Sequence, residues 1–312
     1  MAGNVYNIKN ISITGDLGSG KSTVAKKLSQ KLNLEYFSTG SLQRKLAQER
    51  GVDTLELNYI SEKDTNIDDY IDQYLKDINV DVEKNYILDS RLAWFFVDKS
   101  FKIYLTIVPE IAAKRVLNDH NRQNEPEAHT LEERIYTLLE RQRIENRRFK
   151  SIYNVDCRDF NNYNLIIDTS YASVDEIVEL IVTIYKDYLQ GKKHKKMWVS
   201  PQILYPTQDI RSLASDNAKL LSMQIKNAGF DENYAVDTIS VDGALYIWDG
   251  HKRVSASIQN GISFVPTTLL ASDSEEIHKG HTAKMFVDSI PPNKFVYDWE
   301  DMHNFEFYKH RS

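Results

Sequence analysis

The sequence is short of several things at once. It has one cysteine, Cys157, which excludes an internal disulfide and a thiolate metal cluster and reads as an ordinary thiol. Its 7 prolines and 12 glycines in 312 residues are too few for a collagen-like or Pro/Gly-rich disordered chain. No apolar run approaches the roughly 18 residues a membrane helix needs, and no charged-then-apolar leader opens the chain. A cytoplasmic location without a membrane partner is therefore expected. Net basic charge is missing as well: 39 Lys and Arg against 45 Asp and Glu give a formal charge of -6. That argues against non-specific coating of nucleic acid and leaves room only for a local basic face. Internal repeats and low-complexity tracts are absent. What is present, 41% apolar residues, suffices for sizeable cores, and the length suggests two domains.

The clearest seam is GKKHKKMWVSP at 191–201, where a helical pattern stops at a glycine, passes four lysines and meets a proline. It divides the chain into 1–190, a basic linker 191–198, and 199–312. Before the seam, short apolar runs alternate with amphipathic stretches: NISIT at 10–14, LEYFST at 34–39, YILDS at 86–90, FKIYLTIV at 101–108 and NLIIDTS at 164–170. Strands separated by helices predict an α/β fold, a parallel sheet flanked by helices. Ligands of such sheets sit at the carboxyl ends of the strands, which directs attention to Thr39, Asp89 and Asp168. After the seam, a strand near ILY, a helix near 211–228, a strand pair around Asp242-Gly243, a helix from about 251 and a strand at 265–270 predict a smaller α+β domain. Its aromatic tail, Phe295 to Tyr308, is expected to pack back on one of the domains.

The segment GDLGSGKS at 15–22 fits G-x-x-x-x-G-K-[ST] between a strand and a helix. Glycines at 15, 18 and 20 let backbone N–H groups, with Ser19 and Thr23, turn around a donor's phosphates at the positive end of the following helix. Lys21 is expected to reach the β and γ phosphates and Ser22 to hold Mg²⁺. The loop alone does not separate kinases from GTPases, motor ATPases or transporter subunits. Thr39-Gly40 with Arg44 one turn later predicts a second anion site, although a capped surface helix fits the same residues. At the end of the third strand, Asp89 is expected to orient metal-bound water or the attacking oxygen, and Arg91 to clamp a phosphate, with a structural ion pair as the alternative. In RQRIENRR, helical spacing places Arg141, Glu145 and Arg148 on one face, with Arg143 and Arg147 off it.

GDLGSGKSTVAKKL, STGSLQRKLA, DSRLAWFF and LERQRIENRRFKSIYNVD leading into YNLIIDTS together resemble the nucleoside monophosphate kinases, and among them the cytidylate kinase-like family. The resemblance spans residue 8 to about 188. It implies ATP as donor with Mg²⁺ held by Ser22 and Asp89, and an acceptor monophosphate held by Thr39, Gly40, Arg44, Asp89 and Arg91. It also implies a lid whose arginines, Arg141 and Arg148 and less firmly Arg115, close over the phosphates. Asp16-Leu17 departs from the family's small or proline residues and puts a carboxylate beside the cradle. The stretch YISEKDTNIDDYIDQYL adds Asp64, Asp68, Asp69 and Asp72, read as a solvated helix face rather than contacts to acceptor hydroxyls.

Downstream, WVSPQILYPTQDIRSL and ALYIWDGHKRVSASIQNGISFVPTTLL resemble the ParB and sulfiredoxin-like fold. Gln208, Arg211, Gly250, His251 and Arg253 fall at matching places and form a candidate anion site; sulfiredoxin's catalytic cysteine has no counterpart. Three functions are thus in view. The first is an ATP- and Mg²⁺-dependent kinase acting on a (d)CMP-like nucleotide. The second is a kinase of a hydroxymethylated base in DNA, with DNA held by the second domain. The third is a nucleotide-gated switch without catalysis.

Overall fold

The computed structural model describes residues 9–61, 66–81, 84–119, 128–209, 216–291 and 293–307. The chain divides into two units, Met1–His194 and Lys195–Ser312. In the first, β1 (Ile11–Gly15) is followed by α1 (Lys21–Leu32), β2 (Glu35–Ser38), α2 (Thr39–Arg50), α3 (Thr54–Ser61) and α4 (Asn66–Val80). Then come β3 (Tyr86–Asp89), α5 (Ala93–Phe96), β4 (Phe101–Thr106), α6 (Pro109–Leu117), α7 (Leu131–Tyr153), β5 (Leu165–Asp168) and α8 (Val174–Leu189). All five expected strands are present, each within two residues of its expected start.

These strands lie side by side in the order β2-β3-β1-β4-β5, and every pairing is parallel. All five residues of β1 are buried, as expected for a strand flanked by β3 and β4 and covered on both faces. Because the strands are parallel, their carboxyl ends share one rim. The register sets Ser38 beside Asp89, Ile13 beside Asp89 and Gly15 beside Leu105. The chain leaves β1 for β2 on one side, while β4 lies on the other, so the loop after β1 opens at the switch in strand order, where such sheets bind ligands.

The helices start where the sequence supplies caps. Thr130 and Glu133 form a reciprocal capping box for α7, and Ser173 and Glu176 do so for α8, each satisfying backbone donors that a helix start leaves unpaired. Ser38, rather than Thr39, caps α2 by accepting from Ser41 N at 3.3 Å. The acidic segment differs from its expectation at Asp72. That side chain is buried, accepts from the Tyr153 hydroxyl at 2.6 Å, and is pushed up from the usual carboxylate range by burial. It ties α4 to the end of α7. Asp69 is exposed, whereas Asp64 and the side chain of Asp68 lie outside the described residues.

The second unit has β6 (Met197–Val199), β7 (Leu204–Tyr205), α9 (Asp216–Ala228), β8 (Val236–Val241), β9 (Ala244–Asp249), α10 (His251–Gln259) and β10 (Val265–Ser272). A small pair, β11 (Glu276–His278) and β12 (His281–Thr282), precedes α11 (Ala283–Ser289) and α12 (Val296–His303). Its main sheet runs β6-β10-β8-β9-β7, with antiparallel and parallel pairs mixed. Asp242 and Gly243, at φ 50° and 81°, make the left-handed two-residue turn that joins β8 to β9. The aromatic tail packs within this unit: Trp299 is fully buried and Phe307 stacks on Tyr205 at 4.4 Å.

Candidate active site

The loop between β1 and α1 requires its glycines for different reasons. A Cβ on Gly15 would lie 2.2 Å from the Leu105 carbonyl oxygen, so β4 approaches too closely for any side chain. A Cβ on Gly18 would lie 2.8 Å from that of Ala112 on α6. Gly20 has open space but caps α1 with φ 81°, a left-handed conformation that favours glycine. The result is a tight turn ending at a helix N-terminus, a ready anion site. Ser19 braces it by donating Oγ to Asp16 O at 2.8 Å, and Thr23 is exposed in the first turn of α1. Lys21 folds back, donating Nζ to the carbonyls of Gly15 at 2.8 Å and Asp16 at 2.7 Å. Burial, then the Arg91 charge, hold it well below the ordinary lysine range, against the pull of Asp89, Asp16 and Glu145.

At the rim, one oxygen of Asp89 gathers three hydroxyls. Its Oδ2 accepts from Ser22 at 2.5 Å, Tyr36 at 3.2 Å and Ser38 at 3.2 Å. Burial and the Asp89 charge raise the Tyr36 phenol, which keeps it a donor. Ser38 passes the chain onward: Ser41 Oγ donates to Ser38 Oγ at 3.4 Å, and Arg44 Nη2 donates to Ser41 Oγ at 3.2 Å. Arg44 thus curls over the first turn of α2, its Nη1 3.6 Å from where a Cβ on Gly40 would stand. Thr39 is buried at the helix start.

Arg91 links the loop to α7. Its Nη1 donates to the Gly15 carbonyl and its Nε to Glu145 Oε2 at 2.9 Å. Arg141 donates Nε to Glu145 Oε1 at 3.0 Å, and Arg148 adds its charge nearby. Burial disfavours the Glu145 carboxylate, but Arg91, Arg141 and Arg148 outweigh it and hold its pKa at about 2. Burial likewise opposes the Arg91 cation, which Glu145 raises above its ordinary value. Arg141, Glu145 and Arg148 are all buried on one face of α7, whereas Arg143 is exposed and pairs with Glu140. Arg147 is also exposed. Arg115 donates instead to the carbonyls of Thr169 and Ser170 at 2.6 and 3.1 Å, fastening the turn after β5. There Asp168 accepts from Ser170 Oγ at 2.6 Å. Cys157 is buried, its Sγ 3.7 Å from Arg91 O, and burial pushes its thiol up to about 12.

Two further residues of α7 are not among those the motifs single out. Arg134 lies on the same face of α7, seven residues before Arg141. It is only 7% exposed, and its Nε and Nη1 have no hydrogen-bond partner. Continuing the i, i+7 spacing back from Arg148 and Arg141 would have reached it. Gln142, on the same helix, donates Nε2 to Asp16 Oδ1 at 2.6 Å; no spacing rule announces that bond.

In the second unit, Gly250, His251 and Arg253 lie together at the start of α10. His251 is buried; its Nε2 accepts from Thr207 N at 3.0 Å. Burial lowers it to about 4 against the pull of Asp249. Gly250 caps α10 at φ 113°. Arg253 donates Nη2 to Asp249 Oδ2 at 2.8 Å, Gln208 is exposed, and Arg211 lies outside the described residues.

The described residues contain no group of three or more His, Cys, Asp or Glu arranged to hold a metal ion. They also contain no helix long and apolar enough to cross a membrane. The model of the cytidylate kinase-like family matches residues 10–171. The chain is similar to the cytidylate kinase of Sulfurisphaera tokodaii, 36% identical over 184 residues, 58% of this chain and 97% of that protein. It is similar to the cytidylate kinase of Aeropyrum pernix, 36% identical over 171 residues, 54% of this chain and 95% of that protein. Among solved structures, the shikimate kinase of Bacteroides thetaiotaomicron aligns with a TM-score of 0.40 and 15% identity, covering 57% of this chain and 98% of that one. The family match takes in the loop, the Asp89 rim and the buried face of α7, and it ends before the second unit. On that match, which covers more than half of the sequence, the chain belongs to the cytidylate kinase-like family and is an ATP-dependent kinase.

Proposed function

We propose that this nucleoside monophosphate kinase transfers the γ-phosphoryl group of ATP to cytidylate or deoxycytidylate. The observation that carries the reading is one hydrogen-bonded chain. It runs from the phosphate loop through Arg91 to Glu145 and Arg141, with Ser22, Asp89 and Ser38 on its other side. Lys21, Arg91, Arg141 and Arg148 outnumber the carboxylates Asp16, Asp89 and Glu145 there by four to three, leaving a small excess of positive charge to which phosphorylated ligands add their own negative charge. Phosphoryl transfer asks little covalent chemistry of the protein and much positioning and charge stabilisation, which is what such a cluster provides. The cytidine preference is supported by the relatives, each of which is a cytidylate kinase.

The donor set suits Mg²⁺. Ser22 Oγ and Asp89 Oδ2 are hard oxygen donors converging within 2.5 Å, and Mg²⁺ is typically held by one or two protein oxygens plus substrate phosphates and water. When bound, the ion would neutralise charge on the β and γ phosphates. Lys21 would exchange the Gly15 and Asp16 carbonyls for those phosphates. Arg44 would hold the acceptor's phosphate from α2, beside Thr39 and Gly40. Arg91, Arg141 and Arg148 would spread the charge of the moving phosphoryl group and exclude water.

The test is incubation with ATP, Mg²⁺ and each ribo- and deoxyribonucleoside monophosphate in turn, following diphosphate formation. CDP or dCDP is the expected main product, and Lys21→Ala is expected to abolish it. A preference for another base would refute the cytidine assignment, and no product from any monophosphate would refute the kinase assignment to free nucleotides.

A further inference from the structure

Phosphate binding does not account for Asp16. A carboxylate beside an anion cradle repels the ligand the cradle is built to hold. Its hydrogen bonds give it another purpose. Oδ1 accepts from the Tyr104 hydroxyl at 2.8 Å and from Gln142 Nε2 at 2.6 Å, and Oδ2 accepts from Ile107 N at 3.3 Å. Its backbone is held as firmly: N donates to Leu105 O at 2.9 Å, and O accepts from Ser19 Oγ and Lys21 Nζ.

All three side-chain partners are donors. A carboxylate, which only accepts, satisfies them together, whereas an asparagine would turn its own N–H₂ toward one of them. The identity of the residue therefore follows from its partners. Those partners come from β4, from the turn after it and from α7, at sequence separations of 88, 91 and 126 residues. The bond to Gln142 lands beside Arg141, on the helix whose arginines surround Glu145.

We propose that Asp16 is a positioning residue that locks the phosphate loop to α7, so that the donor's phosphates and the α7 arginines keep one relative placement. The inference rests on the kinase reading above for its effect on turnover, and on geometry alone for its effect on order. The repulsion of the ligand by Asp16 is offset by that placement, because a small misplacement of reacting groups costs rate steeply.

The test uses the full-length protein with Asp16→Ala, Gln142→Ala, the volume-conserving Gln142→Met and the Asp16→Ala/Gln142→Ala pair. Each single change is expected to lower kcat by about tenfold or more, with the KM for ATP altered by less than about threefold. Asp16→Ala is expected to tighten ATP binding by removing a like charge. The pair should lose no more than Asp16→Ala alone, since both changes break one linkage. Gln142→Glu places a carboxylate against Asp16 and is expected to be the worst single change. Hydrogen exchange in the nucleotide-free protein gives an activity-independent readout. Gln142→Ala should speed exchange in residues 16–21, and Asp16→Ala should speed it in the middle of α7. Losses of kcat that multiply in the pair, a Gln142→Met protein with unchanged kcat, or exchange changes confined to the mutated element would overturn the proposal. Failure of the wild type to phosphorylate any monophosphate would refute the kinase reading while the exchange experiment still decides the linkage.

Discussion

At the scale of single residues, the site is built from groups whose charge is held in place by its surroundings. Glu145 stays ionised although buried because three arginines face it, and in return it fixes the orientation of Arg91 and Arg141 through their Nε atoms. Arg134 is a buried guanidinium whose Nε and Nη1 have no hydrogen-bond partner. Burying charged N–H groups without hydrogen-bond partners costs stability, and an apolar side chain of similar length removes that cost. Arg134→Met is therefore expected to raise the melting temperature of the nucleotide-free protein while lowering kcat. Calorimetry and steady-state kinetics on the same preparation check the two signs. An unchanged kcat would show that Arg134 has no part in turnover.

At the scale of elements, α7 is tied to the phosphate loop through Gln142 and to Arg91 through Glu145, and α10 opens on a buried histidine. The α10 histidine, His251, is neutral in the fold because it must accept from Thr207 N while buried. Burial also holds His303, on α12, at about 4. The unfolded chain protonates these imidazoles first, near the ordinary value of 6.5. The stability that these two histidines contribute is then fully present above about pH 6.5 and is lost as the pH falls toward about 4. His251→Gln, which can keep an acceptor for Thr207 but cannot titrate, should flatten that dependence. Tryptophan fluorescence is a suitable monitor because three of the four tryptophans, Trp198, Trp248 and Trp299, belong to this unit, with Trp94 in the other. An unaltered pH profile in the variant would show that His251 does not carry the effect.

At the scale of the whole molecule, each unit has its own buried cluster. Leu57, Leu75, Ile78 and Leu88 lie in one, and Ile239, Val241, Tyr246 and Val287 in the other. Ligands of the phosphate loop should therefore stabilise the first unit selectively. Scanning calorimetry of the intact chain is expected to show a transition that rises with ATP and CMP, by about 2.7 kcal/mol at a hundredfold excess over Kd. A second transition should ignore nucleotide and fall between pH 6.5 and 4. A single transition shifted by both treatments would mean that the two units unfold as one.

The local sequence determined the strands, the helix caps and the phosphate loop, because each depends on residues within a turn or two of one another. Gly15 to Ser22 and the alternation of apolar runs were legible for that reason, and so was the shared face of Arg141, Glu145 and Arg148. Tertiary structure decided what those residues face. Asp72 is buried and bonded to Tyr153, and Asp16 meets donors from the end of β4 and from α7. Such pairings depend on how the strands are ordered and how α7 lies across them. A hydrogen bond between residues more than a hundred positions apart leaves no periodicity for the sequence to display.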